Sequence, residues 1–308
     1  MVRRSAGSQD GDPLVTRPVP ADWLEQRRRA DHVAREKASG LLEDLTRRLR
    51  DLLAEHDDDA VSVIDVGAGT GSNQAWLAPR LAVPQRWTLL DHDAELLDVA
   101  SQAPADSEVE ETTRVLGTLE DLPGLTEGQE VRLVTCSALL DLLTLAEAET
   151  LADVIAGPQA SARVTALLSL SVTGAVEIHP AHEHDATISA AFDAHQRRDH
   201  LLGPDAVGIL ADLLRQRRAE VHLSATDWTL GEDDAALITR YLSDRADVAV
   251  ESDPTLSDIA ANWLATRRQQ LRRGELQVSV GHMDLLALPA ASGEPAPTAE
   301  PSSAAPIG

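Results

Sequence analysis

Seven residues, Asp65-Val66-Gly67-Ala68-Gly69-Thr70-Gly71, followed by Ser72, have the types and spacing to surround a nucleotide-like ligand. They come directly after Val61-Ser62-Val63-Ile64, an apolar run that reads as a buried strand, and before a stretch of helical character. Glycines at 67, 69 and 71 let the backbone turn tightly and approach a ligand with no Cβ intervening. A dinucleotide-binding loop would place its third glycine at position 72, where this chain has Ser72. Asp65 would repel a pyrophosphate, and its charge suits a cationic amino group. Asp91 closes the next strand about 20 residues after the loop, where a carboxylate can accept two hydrogen bonds from a ribose diol. That carboxylate serves either cofactor class, so the sign of charge at position 65 is what separates them.

The charge favours S-adenosylmethionine, whose methionine moiety carries the ammonium. An acidic residue, one spacer and Gly-x-Gly-x-Gly between strand and helix resembles the first motif of the class I S-adenosylmethionine-dependent methyltransferases, and residues 65–71 match it fully. The resemblance extends over roughly residues 60–175. It implies S-adenosyl-L-methionine as cofactor, with Asp65, Gly67, Ala68, Gly69, Thr70 and Gly71 against its methionine and ribose, Asp91 on the ribose hydroxyls and His92 beside them. Members often place an aspartate after the third strand for the adenine amino group, whereas here Gly117 is followed by Thr118. Thr118 and the Leu119 backbone are candidates for contacting the ring and Glu120 or Asp121 for the amino group, the other reading being solvated side chains. After the fourth strand, Cys136-Ser137-Ala138-Leu139-Leu140-Asp141 occupies the place that faces the transferred methyl group in this family. Ser137 and Ala138 are expected to border the cofactor; Asp141 either faces the substrate as a catalytic group or caps the next helix. The segment is not the Asn/Asp-Pro-Pro-aromatic motif of methyltransferases acting on nucleobase or glutamine amino groups.

Beyond the fifth strand lies a polar segment with His179, His182, His184, His195 and His200, half of the chain's 10 histidines. A neutral imidazole accepts a proton near pH 7, and His195 with Asp199 would share a helix face at i,i+4, which makes His195 the second catalytic candidate. The competing reading is a surface helix with an ordinary charge pair. His179, His182 and His184 match no standard ligand spacing, so no metal is expected. Arg197 and Arg198 could hold a carboxylate or phosphate and lean the substrate toward a small anionic molecule. Trp23, Arg27, Arg28, Asp31 and Arg35 recur at helical spacing before the first strand, and similar methyltransferases often fold such a helix over the cofactor; the alternative is a solvated amphipathic helix.

The elements that must position these residues alternate. Apolar β-type runs at Val61–Val66, Trp87–Asp91, Thr113–Gly117, Val131–Cys136 and Val164–Val172 are separated by helical stretches at Asn73–Leu81, Ala94–Ala100 and Ala146–Ile155. Such alternation predicts βαβ units and a parallel sheet. Leu41, Leu45, Leu49 and Leu53, with Leu42 and Leu52, predict a helix before it. Later helices are expected at Asp205–Arg217, Asp233–Ser243 and Leu256–Arg272, with strands at Glu220–Trp228 and Leu276–Leu288. The fold class is therefore α/β: a Rossmann-like, seven-stranded, mostly parallel sheet with helices on both faces and an N-terminal helical extension. Residues 1–20 and 290–308 read as disordered tails around a domain at 21–289. That domain divides into N-terminal helices at 21–57, a cofactor-binding half at 58–173, a substrate-side insertion at 174–204 and a C-terminal part at 205–289.

A net charge of -24 over 308 residues repels phosphate backbones and anionic lipid, so neither nucleic acid nor membrane is expected as partner. Aromatics at 2% supply few stacking platforms for bases. No run approaches the roughly 20 apolar residues of a membrane span, and the polar start lacks a signal-peptide core. With one cysteine, Cys136, the chain reads as cytoplasmic. The leading expectation is methyl transfer to an oxygen or nitrogen of a small molecule. A nicotinamide-dependent oxidoreductase and a non-catalytic S-adenosylmethionine-binding protein of the same fold are the alternatives.

Overall fold

In the computed structural model, which describes residues 3–4, 20–100, 108–128, 130–161 and 163–289, helices flank one mixed sheet. The expected tails fall outside these residues except for Arg3, Arg4 and Pro20. A two-residue strand β1 (Arg3–Arg4) is followed by α1 (Ala21–Arg35) and α2 (Ser39–His56). The alternating part runs β2 (Val61–Val66), α3 (Ser72–Leu81), β3 (Gln85–Asp91), α4 (Ala94–Ala100), β4 (Val109–Leu116), α5 (Leu122–Leu125), β5 (Arg132–Ser137), α6 (Leu145–Ala156) and β6 (Val164–His179). The rest comprises α7 (Asp185–Gln196), α8 (Ala206–Gln216), β7 (Glu220–Ala225), β8 (Trp228–Leu230), α9 (Ala235–Ser252), α10 (Ser257–Arg272) and β9 (Gln277–Leu288). No described helix is long and apolar enough to cross a membrane.

Period-two alternation splits the sheet's apolar residues between two cores. Val61 and Val63 of β2 pack with Leu45, Leu49 and Leu52 of α2 and Trp76 and Leu77 of α3. Ile64 and Val66 turn to the opposite face, against Leu151 and Ile155 of α6 and Leu210 and Leu214 of α8. In α2 the buried stripe passes through Leu41, Leu45, Leu49 and Leu52 rather than Leu53. Four-residue steps overrun the 3.6-residue turn, so by the fourth position the preceding residue faces the core.

The expected seven strands are present in the order β4-β3-β2-β5-β6-β9-β7, with β1 beside β4 and β8 beside β9 as short additions that bring the sheet to nine. Strands β4, β3, β2, β5 and β6 are parallel, and β9 is antiparallel to both β6 and β7. Three expected strands differ most in extent, the first being β4, which begins at Val109 rather than Thr113 because it pairs with β3 back to Gln85. Glu220–Trp228 divides into β7 and β8 because the chain turns at Thr226 and Asp227, whose backbone N–H and carboxylate bind the carbonyl and N–H of His282 at 2.9 Å each. β6 continues past Val172 to His179 because β9 keeps pairing with it as far as Gln277, with register shifts at Leu168/Ser171 and Val172/Val176.

Because β2 has β3 on one side and β5 on the other, the carboxyl ends of these three strands open onto one crevice where the chain order reverses, the usual ligand position in such sheets. After β6, α7 is anchored by Asp185, whose carboxylate accepts from Trp263 Nε1 at 2.7 Å and from Arg267 Nη2, while Arg267 Nη1 reaches the Pro180 carbonyl. The Arg267 side chain is 0% exposed, so its charge depends on this partner. Asp185→Ala should therefore destabilise the fold by about 3 kcal/mol through an uncompensated buried guanidinium, read as a lower midpoint in urea unfolding. An unchanged midpoint would show that Asp185 does not anchor α7.

Candidate functional site

Three glycines shape the end of β2. Gly67, Gly69 and Gly71 adopt φ of 65°, 52° and 77°, a left-handed region that costs other residues about 1–2 kcal/mol each. Space is equally restrictive. A Cβ at Gly67 would lie 3.0 Å from Leu139 Cδ1, at Gly69 3.3 Å from Leu24 Cδ1 and at Gly71 3.2 Å from Ala100 Cβ. The loop is thus enclosed by the turn after β5, by α1 and by the end of α4. Gly67 and Ala68 donate to the Leu90 carbonyl at 2.9 and 3.1 Å, tying the loop to β3. Ala68 and Thr70 are buried within it, and Thr70 Oγ1 has no hydrogen-bond partner.

Asp91 sits under this loop, accepting from Gly69 N at 2.7 Å and from Asp93 N at 2.9 Å. A carboxylate has about four acceptor positions, so two remain for a diol. His92 Nδ1 is 3.4 Å from Asp91 Oδ1, with its side chain largely exposed. At the end of β4, Thr118 is exposed and its N–H donates to Asp121 Oδ2 at 2.9 Å, so Asp121 is occupied in capping the Leu119–Asp121 turn. The Leu119 side chain belongs to the core, and Glu120 is exposed.

Beneath the loop lies a polar cluster of which spacing gives little sign. The Asp65 side chain is 0% exposed. Its Oδ1 accepts from Asn73 Nδ2 at 2.6 Å, and its Oδ2 has no partner. Burial pushes this carboxyl up to about 7, against the pull of the Asn73 hydrogen bond and the Arg35 charge and with a further push from Asp91. Arg35, at the end of α1, is 1% exposed and stacks its guanidinium 3.8 Å above the Trp76 ring centre. Asp284 of β9 accepts from Leu170 N at 2.7 Å and Thr226 Oγ1 at 2.8 Å; its carboxylate and that of Asp65 both act on Arg35.

At the carboxyl end of β5, Ala138 takes a φ of 55° after Ser137 and donates to the Ser169 carbonyl at 2.9 Å. Asp141 does not cap the next helix: Thr144 caps α6 in a reciprocal box with Glu147. Burial pushes Asp141 up to about 6, opposed by its own backbone hydrogen bond and by Arg27. Arg27 is held in bidentate fashion by Asp31 at 2.8 and 3.1 Å, lies 5.1 Å over the Trp228 ring centre, and its charge also acts on His282. His282 went unnoticed in the sequence, where it stands alone in a strand. Its Nδ1 lies 2.9 Å from the Val280 carbonyl, which fixes Nδ1 as the donor and leaves Nε2 as the acceptor of the neutral ring.

His195 and Asp199 are not brought together. α7 ends at Gln196, and Asp199 lies beyond it at φ 53°, in a kink that turns its side chain off the helix face. His195 instead has Nδ1 2.7 Å from Arg198 Nη1 and Nε2 3.4 Å from Glu251 Oε1. Arg197 pairs with Asp205 at 2.9 Å and Arg198 with Asp199 at 3.8 Å, so the guanidiniums that suggested an anionic substrate are both engaged. His182 and His184 have ring centres 5.4 Å apart, and no group of three His, Cys, Asp or Glu among the described residues is arranged to hold a metal ion.

Residues 63–156 match the family model described as a methyltransferase domain, so the resemblance carried by the glycine loop holds over that stretch. No curated protein matches the chain. Among solved structures, a mycolic acid cyclopropane synthase complexed with SAH is 13% identical over 73% of this chain and 78% of that chain, with a TM-score of 0.41. A cyclopropane synthase from Mycobacterium tuberculosis is 12% identical over 74% and 78%, with a TM-score of 0.39. A Haemonchus contortus phosphoethanolamine N-methyltransferase in complex with phosphomonomethylethanolamine and S-adenosylhomocysteine is 12% identical over 75% and 49%, with a TM-score of 0.37. Values this low carry no substrate to this chain.

Burial, then the Arg27 charge, lowers His282 from 6.5 to about 4. At this group the folded state therefore binds fewer protons than the unfolded state between these values, and the stability it contributes is lost as pH falls from 6.5 toward 4, while the raised carboxyls of Asp65 and Asp141 act in the opposite direction. The loss through this one group is about 3 kcal/mol. His282→Gln should therefore gain stability relative to wild type as pH falls from 7 to 4.5 in urea unfolding; a wild-type-to-variant difference that does not change with pH would show that His282 is not the sensitive group.

Proposed function

We propose that the chain is an S-adenosylmethionine-dependent methyltransferase acting on an oxygen or nitrogen of a small molecule. The observation that carries this reading is Asp65 Oδ2, a buried carboxylate oxygen without a partner beside a loop of three left-handed glycines. An ammonium satisfies that oxygen, whereas a pyrophosphate would be repelled by it. The cofactor fits the residues present: Asp65 would take its amino group, the glycine backbone its methionine and ribose, and Asp91 the ribose hydroxyls. When bound it supplies an activated methyl on a sulfonium.

The chain's own contribution is placement and proton removal. Ser137, Ala138 and Leu139 would border the methyl of a bound cofactor, and holding an acceptor in line there would contribute several kcal/mol through orientation alone. Asp141 is the favoured general base where the acceptor must lose a proton, because its raised value places it near working pH. His195 ranks second, since both of its ring nitrogens already face charged partners. The anionic substrate is not carried forward, because Arg197 and Arg198 are paired. The net charge of -24 opposes a nucleic-acid acceptor.

Isothermal calorimetry with S-adenosylhomocysteine tests the reading: binding is expected, and a preference for NADH would overturn it. Asp91→Ala should weaken binding by roughly 1.5–3 kcal/mol through lost charge-assisted hydrogen bonds, and unchanged affinity would remove Asp91 from the site. With an acceptor in hand, wild-type kcat should fall below pH 6 as Asp141 is protonated. Asp141→Asn should lower kcat by about 10²-fold or more and abolish that limb; a retained limb would exclude Asp141 as the base.

A further inference from the structure

The buried groups under the glycine loop are unmatched in both signs. Arg35 Nε and Nη2 have no acceptor, Thr70 Oγ1 has no partner, and on the other side Asp65 Oδ2 and Asn73 Oδ1 have no donor. Such groups are rarely left bare in a folded protein, so each calls for a ligand or an ordered water. They also share one neighbourhood. The Arg35 guanidinium interacts with Asp65 and Asp284, and all three act on Cys136 at the end of β5. Asn73 bridges Asp65 and Thr135 at 2.6 and 3.1 Å.

The identity of the free donors narrows the ligand. Nε and Nη2 are the two parallel N–H groups on one edge of a guanidinium, the pair that grips a carboxylate with two bonds. Arg27 uses that same edge on Asp31. Stacking on Trp76 at 3.8 Å, with Arg80 4.5 Å from the same ring centre, fixes the guanidinium plane, so the edge is aimed rather than mobile. A ligand that answers both an unpaired carboxylate oxygen and an unpaired guanidinium edge by charge presents an ammonium and a carboxylate, as an α-amino acid does, whereas an ordered water would satisfy them without charge. Its position is suitable too. α1 reaches the loop through Leu24 at Gly69, and Ser72 Oγ lies 3.4 Å from His32 Nε2.

We propose that the Nε–Nη2 edge of Arg35 binds the carboxylate of the cofactor's methionyl end while Asp65 Oδ2 takes its ammonium. The inference rests on the cofactor reading given above. It makes α1, which lies before the matched residues 63–156, part of the cofactor site. Arg35 is then a specificity residue for the amino-acid end and has no part in the methyl transfer itself.

The test compares S-adenosylhomocysteine with its decarboxylated analogue, which differs only in lacking the carboxylate, by calorimetry on the full chain at pH 8. Wild type should prefer the intact ligand by about 10- to 100-fold, as expected for two charge-assisted bonds. Arg35→Met should shrink that preference to about 3-fold or less while leaving affinity for the analogue within about 3-fold. If the Met variant does not fold, Arg35→Lys keeps the charge without the parallel edge and should lose most of the preference. Equal wild-type affinity for the two ligands, or a preference that survives in either folded variant, would overturn the inference and leave Arg35 as a water-solvated counter-ion. Binding of neither ligand by wild type would sink the cofactor reading itself, and the inference with it.

Discussion

A carboxylate taken out of water at the carboxyl end of the central strand governs the rest of this molecule. Asp65 stands where β2 meets the glycine loop, flanked by β3 and β5, and no solvent reaches it. A bare charge there would cost several kcal/mol, so the fold supplies Asn73 from α3 and the Arg35 charge from α1. The supply is incomplete: one oxygen stays unbonded and the carboxyl is pushed up to about 7. Ionisation at this point depends on what else arrives, which is a reason to keep such a residue at a binding site.

The same requirement explains the N-terminal helix. Arg35 can balance Asp65 and Asp284 only if α1 is held across the sheet end, and α1 is held by residues far along the chain. Just past its end, Lys37, the only lysine in the sequence, donates to the Asp227 carbonyl at 2.6 Å and to Thr229 Oγ1 at 3.3 Å. Arg29 pairs with Asp234 at 2.7 Å, and Trp228 Nε1 donates to Asp31 at 3.0 Å. Exposed pairs of this kind each add little, yet together with the buried Trp228 contact they fix the register of α1 over the loop. The strained turn at Leu170, φ 55°, is held from the other side by Asp284, which accepts from its N–H. Glycine loop, N-terminal helix and last strand are thereby one electrostatic unit.

Local chemistry made the glycine loop, Asp91 and the leucine stripe of α2 readable from spacing, because each follows from the periodicity of its own segment. Where a reading failed, something outside the segment decided. His195 and Asp199 have helical spacing, but α7 stops at Gln196 and the chain kinks before Asp199. Asp141 could have been a helix cap on spacing alone, yet Thr144 with Glu147 makes the better box three residues later. β6 outran its apolar pattern because β9 was there to pair with it.

By itself the sequence determined the alternating α/β class, the loop at 65–71 with its sign of charge, and the carboxylate that closes β3. Only the tertiary structure decided which charges meet. Arg35, Asp65 and Asp284 lie on α1, β2 and β9, and His282 joins Arg27 and Trp228 across most of the chain. Sequence period fixes which way a side chain faces within its own element. Whether an opposite charge waits there depends on strand order and helix docking, which no local pattern encodes.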